Sequence, residues 1–228
     1  MPTALLTGGS RGLGLALACA LAERGYSLVI DARGGEELAA ARAELARRTD
    51  VAALVGDVAE ERHRRALVAA AAGPVQALIN NASLLGPSPQ PGVGEYPLNS
   101  LEAVYRVNVL APLRLIQLTL PLLAKGARIL NLTSDAAVES YEGWGGYGSS
   151  KAALEQLTAV LAAEHPELRV YSVDPGDMRT RMQQEAFPGE DISDRPPPEE
   201  SVPGLLELIE GQLPSGRYRA RELARVGA

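Results

Sequence analysis

The sequence predicts an α/β fold: one doubly wound parallel sheet with helices on both faces, in a single domain over residues 1–228. Three observations predict it. Apolar runs of strand length recur along the chain, and alanine-rich helical stretches separate them. A glycine cluster follows the first run, where a strand would hand over to a helix. Strands alternating with helices pair in parallel and are covered on both faces.

The elements follow in order. Residues 4–7 form a first strand, and a helical segment runs on to about Arg24, where Gly25 is a stop signal. Residues 28–30 are the second strand, a charged helix spans 36–48, and 51–55 is the third strand. A helix over about 60–72 ends at Gly73-Pro74, before a strand beginning at 77–79. One long helix, from about Leu101 to Lys125, ends at Gly126 and precedes a strand at 128–132. Residues 147–164 read as a helix, 169–173 as a sixth strand, and 215–218 as a candidate last strand. Residues 86–97, with four prolines and three glycines, read as a loop. Residues 183–203, acidic and proline-rich, read as a surface loop or as a substrate lid over about 181–203.

Composition narrows the function classes. A length of 228 residues suits one α/β domain, and no apolar run approaches the roughly 18 residues of a membrane span. The first residues carry no basic region, and the single cysteine, Cys19, has no partner for an internal disulfide, so a cytoplasmic location is expected. A net charge of −6 argues against nucleic-acid binding. Lys125 and Lys151 are the only lysines, so a lysine at a motif position is less easily incidental.

The glycine cluster is Thr7-Gly8-Gly9-Ser10-Arg11-Gly12-Leu13-Gly14. Glycine permits a tight turn and close approach of backbone to a ligand, and the helix N-terminus beyond it offers N–H groups to a pyrophosphate. The Gly-x-x-x-Gly-x-Gly spacing differs from the usual dinucleotide fingerprint. A plain tight turn is the competing reading.

Together with Tyr147-x-x-x-Lys151, this cluster resembles the short-chain dehydrogenase/reductase family. Further matches run along the chain: Asp57-Val58, Asn80-Asn81-Ala82-Ser83 with Ser83 replacing a glycine, Asn108, Ser134 thirteen residues before Tyr147, and Asp174-Pro175-Gly176 with Thr180. The resemblance implies a Rossmann fold with a dinucleotide across the sheet's C-terminal edge. It implies cofactor contacts from Gly8, Ser10, Arg11, Gly12, Leu13 and Gly14, then from Arg33, Asp57, Val58, Asn81 and Ala82. Tyr147, Lys151, Pro175, Gly176, Met178 and Thr180 complete that set. It also implies a homodimer, with tetramer formation in doubt because the chain is short after residue 218.

The implied reaction interconverts a small-molecule carbonyl compound and its alcohol. Carbonyl reduction needs a proton donor beside developing alkoxide charge, and Tyr147 is the candidate. Lys151, one helical turn on, shares its face, where a positive charge would favour tyrosinate. The resemblance gives Lys151 the nicotinamide ribose hydroxyls, Ser134 the substrate oxygen, and Asn108 a water linking Lys151 to solvent. A single Tyr-x-x-x-Lys pair is usually surface decoration; the ordered set of motifs carries the reading. Ser83 is expected to stiffen its turn without touching the chemistry.

Asp31 tempts an NAD assignment, since an acidic residue after the second strand binds the ribose 2′-hydroxyl. The family register instead puts Ala32 at that position and turns Asp31 to the opposite side. Arg33 and Arg11 match basic positions suited to a 2′-phosphate, so NADP is favoured over NAD. Cys19 reads as a small core residue, and His63 and His165 as helix-surface or helix-end residues, so no metal site is expected. Trp144 and Tyr141 are candidate substrate walls. The competing function is a catalytically silent dinucleotide-binding sensor.

Overall fold

A computed structural model describes residues 1–226. Its elements are β1 (Thr3–Leu6), α1 (Gly12–Glu23), β2 (Ser27–Ala32), α2 (Gly35–Leu45), β3 (Val51–Val55), α3 (Glu61–Ala69), β4 (Val75–Asn80), α4 (Leu98–Tyr105) and α5 (Ala111–Thr119). They continue with β5 (Leu123–Leu132), α6 (Gly145–Glu164), β6 (Arg169–Asp174), α7 (Arg181–Ala186), α8 (Val202–Glu210), β7 (Gly216–Arg219) and α9 (Ala220–Val226). All seven strands pair in parallel in the order β3-β2-β1-β4-β5-β6-β7. The doubly wound Rossmann-like sheet read from the sequence is therefore present. The chain winds outward from β1 to β3, then returns to β1's other side with β4. That reversal opens a crevice between the C-terminal ends of β1 and β4.

Successive strand residues point to opposite faces and build two cores. Leu6, Ile30, Ile79 and Tyr171 pack with Leu17 and Leu21 of α1 and with Leu205 and Leu208 of α8. Leu5, Val29, Leu78 and Val170 pack on the other face with Leu67 of α3 and Leu115 and Ile116 of α5. Each fully buried leucine, isoleucine or valine contributes roughly 1.5–3 kcal/mol.

The structure departs from the sequence reading in three places. The single helix expected over 101–125 is a bent assembly: α4, a π-helical turn over Arg106–Leu110, then α5, which gives way at Leu120–Leu122 to β5. Pro112 has no N–H for the carbonyl of Asn108 four residues back, and its ring crowds that carbonyl. The helix widens there. Pro121, inside the following 3-10 turn, stops it well before Lys125. Second, the stretch expected as a loop over 183–203 is irregular only over residues 187–197: it begins inside α7, includes a 3-10 turn at Pro198–Ser201 and runs into α8. Thr180 caps α7, accepting a hydrogen bond from the Gln183 N–H. Third, His63 is buried rather than on a helix surface, at 6% exposure. Its Nε2 lies 2.9 Å from Asp31 Oδ2, so the imidazole is satisfied beneath the sheet edge.

No helix among the described residues is long and apolar enough to cross a membrane.

Candidate active site

A cavity of about 780 Å³ opens at the crevice and runs from the end of β2 across the sheet to α6 and α7. Its near wall is the glycine turn. Gly8 has φ +71°, and a Cβ on Gly14 would lie 2.1 Å from the Gly8 carbonyl oxygen, so neither position accommodates a larger residue. The turn is tied down from both sides. The Asn81 amide donates to the carbonyls of Thr7 and Gly8, and Thr7 Oγ1 accepts from the N–H groups of Asn81 and Ala82. On the other side the Gly8 N–H donates to Asp31 Oδ1 at 2.8 Å. Asp31 is 1% exposed, with one oxygen on Gly8 and the other on His63. Beyond it Arg33 lines the cavity, and Arg11 Nη1 pairs with Glu37 at 3.1 Å on its rim. Glycines at close quarters, the free N-terminus of α1 and two arginines make a cradle for a phosphorylated dinucleotide.

Every residue assigned from the sequence to the cofactor lines this cavity, from Gly8, Ser10, Arg11, Gly12, Leu13 and Gly14, through Arg33, Asp57, Val58, Asn81 and Ala82, to Pro175, Gly176, Met178 and Thr180. Ser134, Tyr147 and Lys151 line its far end. Asn108 does not line it. The Asn108 side chain is buried, with Oδ1 accepting from the Leu84 N–H and the Ser83 hydroxyl, and Nδ2 donating to the Leu84 carbonyl and Ser150 Oγ. Those four bonds exhaust the side-chain amide, so a water held by Asn108, as the resemblance implies, would meet its backbone carbonyl.

Tyr147 stands in the first turns of α6, buried against Leu85 and Ala136. Burial pushes its phenol above the ordinary tyrosine value, and Asp174 and Asp135 add to the rise; the side-chain contact that opposes it comes from Ser83. The Lys151 side-chain nitrogen stands over the Tyr147 ring, 5.4 Å from its centroid. Lys151 Nζ donates to the Leu132 carbonyl at 2.8 Å, and burial lowers its pKa to about 7. Ser134 donates to Asp135 Oδ1 at 2.8 Å and accepts from the Ala136 N–H, a cap for the short 3-10 turn that follows.

Trp144 forms an apolar wall, edge-on to Tyr147 at 5.8 Å between ring centroids, with Phe187 beside it at 5.9 Å. Met182 and Ala186 of α7 complete that wall. Tyr141 is half-exposed and donates to Glu139 instead of facing the cavity. Sequence reasoning missed Ser150, Asp135 and Glu37, for which no motif signalled a role. Asp174 was visible within its Pro-Gly motif, and Ser83 as a departure from it. Cys19 is partly buried against the core, 3.7 Å from Glu44, and burial raises its thiol.

The family model described as short chain dehydrogenase matches residues 2–191. The chain belongs to the short-chain dehydrogenase family. It is 34% identical to a rhamnolipid-biosynthesis 3-oxoacyl-(acyl-carrier-protein) reductase of Pseudomonas aeruginosa, covering 97% of this chain and 85% of that one. A short-chain dehydrogenase structure from Pseudomonas syringae superposes with a TM-score of 0.90 at 30% identity, covering 96% and 94% of the two chains. Another, from Escherichia coli and complexed with NADPH, gives 0.85 at 28% identity, with 96% of each chain covered. As a member of this family the protein is an NAD(P)-dependent dehydrogenase or reductase.

Proposed function

We propose that this short-chain dehydrogenase interconverts a small-molecule carbonyl compound and its alcohol with NADP, using Tyr147 as the acid–base group. One observation carries the reading: Tyr147, Lys151 and Ser134 line the far end of the same cavity whose near end is the glycine cradle. The bound dinucleotide supplies the hydride that the carbonyl carbon receives. The protein's part is to give the carbonyl oxygen a proton as its bond electrons move onto it, and the Tyr147 hydroxyl is the donor. Ser134 orients the oxygen, after its hydroxyl turns from Asp135. Lys151, once its ammonium is held by ribose hydroxyls, binds and orients the cofactor. Trp144 and Phe187 exclude water from the reacting end.

NADP is favoured because Asp31 already holds the Gly8 N–H and His63, whereas Arg33 lines the cavity beside the end of β2. The NADPH bound in the Escherichia coli relative is consistent with that choice. The deciding experiment follows NADPH oxidation against a panel of aldehydes, ketones and diketones. Tyr147→Phe is expected to abolish turnover while retaining NADPH binding. Unchanged turnover in that variant overturns the reading, and NADPH binding with no turnover of any compound by the parent protein favours a silent sensor.

A further inference from the structure

Asp31 lines the dinucleotide cavity at the end of β2, yet its carboxylate is held inside the wall. A carboxylate only accepts, so two N–H groups share it. The Gly8 N–H donates to Oδ1 at 2.8 Å, and His63 Nε2 donates to Oδ2 at 2.9 Å. Both side chains are buried. The imidazole reaches this place because Gly56, just after β3, leaves room for it. A Cβ on Gly56 would fall 2.2 Å from His63 Nδ1 and 2.6 Å from Cε1. His63, carried on α3, thus stands behind the cavity wall between the ends of β2 and β3, and meets the cofactor site through Asp31.

Arg33 lines the same end of the cavity, two residues beyond Asp31. The two side chains make opposite demands on the ribose 2′ position of a dinucleotide. A guanidinium suits a 2′-phosphate. A carboxylate free to act there suits a 2′-hydroxyl, which can donate to it, and repels a phosphate. We propose that His63 is a specificity-determining residue for the dinucleotide: by holding Oδ2 of Asp31, it keeps that carboxylate from the ribose 2′ position and leaves the choice to Arg33. This rests on the reading of the cofactor as NADP. A buried carboxylate that loses one of its two donors is left partly uncompensated. With NADH bound, the 2′-hydroxyl can replace the missing donor. With NADPH bound, only further negative charge stands there, and the carboxylate opposes it.

Fluorescence titration of the full chain with NADPH and with NADH tests this, read as the ratio of the two dissociation constants. In His63→Leu, NADPH is expected to bind about tenfold more weakly, while NADH binding stays within about threefold of the parent. His63→Gln, whose Nε2 can donate as the imidazole Nε2 does, is expected to keep the parent ratio. Asp31→Asn retains an acceptor for the Gly8 N–H but no charge, and in that background His63→Leu is expected to leave the ratio unchanged. Gly56→Ala displaces the imidazole without removing it, and is expected to shift the ratio as His63→Leu does. An unchanged ratio in folded His63→Leu, or in Gly56→Ala where His63→Leu does not fold, overturns the proposal. So does an equal shift in the Asp31→Asn background, since the effect would then not pass through the carboxylate. A parent protein that prefers NADH sinks the underlying reading instead, so the two failures are distinguishable.

Discussion

Asn108 Nδ2 lies 2.9 Å from Ser150 Oγ, and this contact joins the widened turn between α4 and α5 to the first turns of α6. The asparagine is 1% exposed and the serine is fully buried. Because the other bonds of Asn108 hold Leu84 and Ser83, one side chain fixes the β4 loop relative to the catalytic helix.

Asn108→Ala should therefore act on stability first. It strands the Leu84 N–H and carbonyl and removes the acceptor and donor facing Ser83 and Ser150. Each buried group left unpaired costs about 1–3 kcal/mol. A net loss of about 3 kcal/mol, or roughly 6–12 °C in melting temperature for a chain of this size, is expected by calorimetry. A shift below about 2 °C, with turnover lost, would instead favour a direct role in proton supply.

The cofactor end separates two residues close together in sequence. Asp31→Ala removes the acceptor for Gly8 N–H and the partner of His63, loosening the glycine turn itself. NADPH and NADH binding should weaken together, by roughly tenfold each. Arg33→Ala should weaken NADPH by about 10–100-fold and leave NADH within about threefold, because only the former carries a 2′-phosphate. Glu37→Gln frees Arg11 from its present partner and should tighten NADPH severalfold. Fluorescence titration with both dinucleotides measures all three. A selective loss of NADH binding in Asp31→Ala would restore the ribose role to that aspartate.

Lys151 makes the protein's behaviour depend on pH. Its pKa falls from an ordinary 10.5 to about 7 on burial. Between those values the unfolded chain holds a proton that the folded one has released, so this lysine makes stability rise with pH across that window. Denaturation of the cofactor-free protein at pH 7 and pH 9.5 should show this increment, and Lys151→Met should lack it. Dinucleotide binding adds a second sign. At pH 8 the free enzyme's Lys151 is mostly neutral, and holding ribose hydroxyls as an ammonium requires proton uptake. Calorimetric titration in buffers of different ionisation enthalpy should register up to about one proton taken up; none taken up would place the bound lysine in its neutral form.

Local pattern determined much of this protein. The alternation of apolar runs and helical stretches specified the sheet, because side-chain period and turn residues act over a few positions. The family register predicts that Asp31 points away from the ribose, and the structure holds its carboxylate on Gly8 and His63 at the cavity wall. The long helix failed because Pro112 and Pro121 are local signals that the 101–125 reading did not weigh. Other features had no local signal at all. Ser83, Asn108 and Ser150 meet across separations of 25 and 42 residues, and His63 reaches Asp31 across 32. Such contacts exist only after the two faces of the sheet have packed, when buried polar groups must find partners or leave the interior. The motifs named the tyrosine and its lysine; the packing decided that the lysine would lie over the tyrosine ring and reach the Leu132 carbonyl.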